Sequence, residues 1–118
     1  KLLVGHHPIH SNHIKTRQFE EMVAAVEPLI DRYNVDAYFC GHDHNLQHIQ
    51  KNKVGYHQII SGAGSQIGTG FFSQKDSPFQ YDKNGFVSVE IRGNDMVIEY
   101  FGIVSDDPLF STTVHARK

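Results

Sequence analysis

At 118 residues the chain is one domain or less, and its 39% hydrophobic and 20% charged content fits a globular protein rather than a low-complexity segment. A formal net charge of −2 with no basic stripe argues against a nucleic-acid partner, and no apolar run is long enough to span a bilayer. Cys40, the single cysteine, excludes an intrachain disulfide and sits at the end of an apolar run, as a buried inert thiol does.

Leu2-Leu3-Val4 is short, apolar and followed by glycine, which predicts a buried parallel strand. From about residue 16 to residue 33, Phe19, Met22, Val23, Val26, Leu29, Ile30 and Tyr33 recur at intervals of three and four and predict one apolar helix face. Pro28 lies inside that run and should kink or divide the helix. Residues 35–40 predict a second buried strand. The crossover is long enough for a right-handed βαβ unit, whose loops at the carboxyl ends of the strands are where sites form.

Beyond residue 45 the pattern turns antiparallel. Residues 46–50 and 54–61 predict a hairpin about Lys51-Asn52-Lys53, followed by a glycine-rich loop over residues 62–70. Residues 73–84 are polar and contain Pro78, so they read as an excursion loop. Strands are expected over 86–92 and 96–103, with a turn at Gly93-Asn94, and over 110–114 after the turn at Asp106-Asp107-Pro108.

Each end of the expected βαβ unit carries histidine: Gly5-His6-His7-Pro8 after the first strand and Gly41-His42-Asp43-His44 after the second. In extended backbone His42 and His44 would leave the same face, with Asp43 turned away. Imidazole nitrogen suits zinc, iron and similar ions, so His6, His42 and His44 are the candidate metal ligands. Asp43 or Asn45 could orient a ligand ring. His7 reads as a packing or supporting residue, His48 as a satisfied strand residue, and His57 and His115 as structural or surface positions. The glycines of residues 62–70 do not fit a dinucleotide fingerprint, and no helix follows them. A backbone approaching the metal pocket, or a flexible turn, explains them better.

These motifs carry a resemblance. Gly5-His6-His7-Pro8 with Cys40-Gly41-His42-Asp43-His44-Asn45-Leu46-Gln47 resembles the last two motifs of the calcineurin-like metallophosphoesterases, and within them the tartrate-resistant type of purple acid phosphatase. Ile60-Ser61-Gly62-Ala63-Gly64-Ser65 is similar to a further motif of that branch. The resemblance implies an α/β chain, the C-terminal half of an α/β/β/α sandwich, with residues 1–118 forming part of one domain. It also implies a dinuclear centre of iron with iron, zinc or manganese. His6 and His42 would hold the divalent ion and His44 the ferric ion.

The activity implied is hydrolysis of phosphomonoesters by metal-assisted attack on phosphorus, with a nearby acid protonating the leaving alkoxide. His13, in the loop after Gly5-His6-His7-Pro8, is the candidate acid, with His10 the nearby alternative. The family's upstream aspartate, tyrosine and asparagine ligands do not occur here, so this stretch alone is expected to be inactive and to need the N-terminal half of the domain. A start at Lys1 inside an apparent strand reads the same way. Secretory, lysosomal or vacuolar residence follows from resemblance alone. The alternatives are a phosphodiesterase or nucleotidase of the same superfamily and a non-catalytic, histidine-rich metal-binding module.

Overall fold

In a computed structural model, which describes residues 1–15, 19–51 and 55–117, one helix and two sheets form three layers. Strand β1 (Leu2–Val4), helix α1 (Glu20–Arg32) and strand β2 (Ala37–Cys40) form the expected βαβ unit, β1 and β2 running parallel with Leu2 opposite Ala37. Strand β3 (Leu46–Ile49) pairs antiparallel with β4 (His57–Ser61), and β4 then lies parallel to β2. The hairpin thus folds back into the first sheet, whose order is β1-β2-β4-β3-β5. Residues 52–54, including most of the predicted turn, lie outside the described residues. Strands β6 (Gly85–Arg92), β7 (Asp95–Gly102) and β8 (Phe110–His115) form a separate antiparallel meander.

The strand pleat divides the apolar residues between two cores. Ala37, Leu46 and Ile59 face Met96, Ile98, Tyr100 and Val114 across the gap between the sheets. Tyr38, Cys40 and Ile60 point to the other side, against Ile9 and the helix residue Ile30. Cys40 is buried, and burial pushes its thiol well above the usual range. A nucleophilic role is therefore disfavoured.

Four expectations need correction. Leu2, Leu3 and Val4 are exposed, because β1 is an edge strand with β2 as its one partner in the sheet. The helix begins at Glu20 and runs unbroken through Pro28, although proline offers no N–H to the turn before it. Residues 16–18, where its start was expected, are outside the described residues. Leu29 and Tyr33 are exposed, so the buried stripe narrows to Met22, Val23, Val26 and Ile30. Finally, the polar stretch 73–84 contains strand β5 (Phe79–Tyr81), which pairs antiparallel with β3 and closes the first sheet. Its aromatic rings pack into the core between the sheets, which outweighs the polar flanks.

Candidate metal and phosphoester site

The parallel ladder of β1 and β2 continues past the strand ends: Gly5 N–H donates to the Phe39 carbonyl at 2.9 Å and Gly41 N–H to the His6 carbonyl at 3.1 Å. The two histidine loops are thereby held side by side. Tyr38 Oη donates to the His7 carbonyl at 2.6 Å, and a side chain on Gly5 would meet that hydroxyl at 2.3 Å, so glycine is needed there. His6 Nε2 lies 3.3 Å from His42 Nδ1.

Backbone geometry at the second loop is not the extended form expected. His42 has φ 63°, and Asp43 N–H donates to the Gly41 carbonyl at 2.7 Å, a three-residue turn of the uncommon positive-φ kind. Asn45 N–H repeats the pattern to the Asp43 carbonyl at 2.9 Å. Burial still alternates, with His42 and His44 exposed and Asp43 buried. A positive φ at a non-glycine residue costs of order 1 kcal/mol or more and persists where surroundings enforce it. Those surroundings are visible. Asp43 accepts a hydrogen bond from Ser11 Oγ, Gln47 Nε2 donates to Ser11 Oγ at 3.1 Å and to Asn45 Oδ1 at 2.9 Å, and Gln47 Oε1 receives Asn12 N–H at 2.9 Å. A Cβ on Gly62 would stand 2.0 Å from the Asp43 carbonyl oxygen, so the glycine-rich loop presses directly against this turn.

The result is a cavity of about 660 Å³ lined by His6, His13, Lys15, His42, Asp43, His44, Gly62, Ile67 and Gly68. His13 is buried, its N–H donating to Ser11 Oγ at 3.1 Å, and Gly68 would place a Cβ 3.1 Å from its Nε2. His10 is turned elsewhere, to Glu27 Oε1 at 2.6 Å. The four residues proposed as ligands or acid thus share one cavity, but they do not form one cluster. Among the described residues, His6, His7 and His42 form the group of three possible ligands that brings one ring nitrogen from each within 4.8 Å of the others, and His44 stands apart on the cavity wall. His7 in this group and Lys15 on the wall were not singled out for these places by sequence reasoning. Adjacency to His6 was the available signal for His7, and no spacing pointed to Lys15.

A cation fits this donor set. A tetrahedral ion with bonds of about 2.0–2.1 Å to nitrogen sets neighbouring nitrogens about 3.3–3.4 Å apart, matching the His6–His42 separation. Desolvation lowers the His42 pKa, with His7 adding to the effect and Asp43 opposing it. The shift favours the neutral form that a ligand requires.

A second histidine group lies between the sheets. Gln50 Nε2 donates both to the Gly55 carbonyl and to His57 Nε2, each at 3.2 Å. Because the Gly55 carbonyl fixes the amide orientation, His57 Nε2 must accept, so His57 Nδ1–H donates to His48 Nε2 at 2.8 Å. His48 Nδ1–H then donates to Tyr100 Oη at 2.8 Å, and that hydroxyl donates to the Gln47 carbonyl at 3.3 Å. Both rings are neutral in this one-way chain. His115 is exposed and paired with Asp95 at 2.7 Å.

Sequence and structure comparisons agree with the resemblance. The chain is 39% identical to tartrate-resistant acid phosphatase type 5 of Rattus norvegicus, over 98% of this chain and 37% of that protein. It is 33% identical to purple acid phosphatase 4 of Arabidopsis thaliana, over 87% of this chain and 31% of that protein. It spans about a third of the length of these curated relatives. No family model matches. Among solved structures, GAP50, described as the anchor in the inner membrane complex of Plasmodium, superposes with a TM-score of 0.82 at 26% identity, over 99% of this chain and 36% of GAP50. A purple acid phosphatase from yellow lupin seeds superposes with a TM-score of 0.77 at 17% identity, over 97% of this chain and 24% of that one, a likeness of fold.

Proposed function

We propose, on the premise of this kinship with the tartrate-resistant and other purple acid phosphatases, that residues 1–118 supply one wall of a dinuclear phosphomonoesterase centre. His6 and His42 would hold the divalent ion and His44 the ferric ion, with the remaining ligands from the rest of the domain. The observation that carries the reading is the single cavity lined by His6, His13, His42 and His44. When bound, the metal pair would supply an activated water and charge neutralisation at phosphorus.

The chain's own residues do the rest. Ser11, Asp43 and Gln47 hold the His42–His44 turn and the His13 loop in one buried network, fixing their relative placement. His13, walled by Gly68, would give its proton to the departing alkoxide oxygen. Lys15 adds a cation to the wall, where phosphate oxygens would gain from it. By itself this segment would carry ligands without turnover, because three imidazoles supply no bridging carboxylate.

The test is His13→Ala in the phosphatase that carries this segment. Metal content should stay unchanged, while turnover falls by about 10²–10⁴ on esters with poor leaving groups and far less on good ones. Equal slowing on both kinds of ester overturns the acid role. A second reading, an anchoring role in place of turnover, is suggested by the likeness to GAP50, described as an anchor. Full metal loading with no turnover on any aryl phosphate would select it.

A further inference from the structure

We propose that His7, together with His6 and His42, forms a three-imidazole site through which this chain alone holds one divalent cation of the zinc kind. The inference rests on the reading of His6 and His42 as ligands, and adds a third donor that needs no upstream segment.

Three observations carry it. First, one ring nitrogen from each of His6, His7 and His42 lies within 4.8 Å of the other two, with ring centroids 4.9 Å apart for His6–His7 and 4.3 Å for His7–His42. Second, the backbone beneath His7 is fixed while its side chain faces solvent. Pro8 restricts His7 to extended geometry, and Tyr38 Oη anchors its carbonyl at 2.6 Å. The imidazole itself is exposed. Third, Phe19 stands against both rings, 5.4 Å from His7 and 5.9 Å from His42, an apolar wall that limits their swing.

Without a cation, the 3.3 Å contact between His6 Nε2 and His42 Nδ1 has room for one shared proton. A cation in its place would require that proton to move to the other nitrogen of its own ring, leaving both facing nitrogens as donors. Three neutral imidazoles are a known complete protein set for zinc with one position left open. His44, outside the cluster, is not needed.

The experiment titrates the purified chain with Zn²⁺ by calorimetry and with Co²⁺ by visible absorption, alongside His7→Ala, His42→Ala and His115→Ala. One ion per chain is expected, with Co²⁺ giving the intense visible bands of a low-coordinate site. His7→Ala should weaken Zn²⁺ at least about tenfold, since even outer partners of ligands cost that much. His115→Ala, at an exposed histidine paired with Asp95 outside the cavity, should leave affinity and spectrum unchanged. Circular dichroism checks the fold of each variant. If His7→Ala binds as the parent does while His42→Ala does not, the inference is overturned and the His6–His42 reading stands. If His42→Ala also binds as the parent does, both fall.

Discussion

Two groups among the nine histidines of this chain are used in contrasting ways. At the strand tips, His6, His7 and His42 are exposed, crowded together and held by the backbone beneath them. Between the sheets, His48 is buried with both ring nitrogens engaged, one by His57 and one by Tyr100. A histidine whose nitrogens are saturated by fixed partners cannot ligate a cation, whereas one whose nitrogens face other acceptors across a gap can. Burial and hydrogen-bond satisfaction, more than residue type, separate the two groups.

The contrast breaks first at His48. His48→Ala removes a ring from the inter-sheet core and strands the polar groups of Tyr100 and His57, so stability should fall by about 3 kcal/mol with metal binding retained. Urea unfolding alongside Zn²⁺ titration measures both. Equal loss of metal affinity would erase the distinction.

Next comes pH. Desolvation, with His57 beside it, depresses the His48 pKa from 6.5 to about 3. The unfolded chain therefore takes up a proton below 6.5 that the folded chain refuses until about 3, so stability rises with pH across that window. Between pH 6.5 and about 5, this one group should remove about 2 kcal/mol. The depressed pKa of His57 adds in the same direction. Metal-free chain unfolded in urea across this range checks it, and a slope unaffected by His48→Ala would refute the assignment.

The smallest effect sharpens the comparison most. His42→Gly should stabilise the fold by about 0.5–1 kcal/mol, because glycine accepts φ 63° without strain, while removing a proposed ligand. Stability and metal affinity would move in opposite directions, the signature of strain kept for function. A loss of both would mean that the His42 ring contributes packing.

Much of the fold was legible. The period of the residues before the second histidine loop, set between two short apolar runs, identified the βαβ unit and so put His6 and His42 at neighbouring strand ends. The glycine-rich stretch was legible as backbone nearing the pocket, and Gly62 and Gly68 do line it. Less visible were strand β5, whose aromatic positions are embedded in polar residues, and the exposure of β1, which depends on its place at the sheet edge. Helix continuity through Pro28 was hidden as well, since local propensity yields to packing of Met22, Val26 and Ile30.

By itself, then, the order of residues determined which chemistry was available: imidazoles in two glycine-flanked loops, each following a strand. Only the tertiary structure decided which imidazoles meet. Residues 36 positions apart became neighbours through a parallel register, His7 entered the cluster that His44 stayed out of, and His48 was enclosed between sheets. The reason is physical: local sequence sets backbone preference, but the separation of two nitrogens is set by hydrogen-bonded register and by what a closed layer shuts away from water.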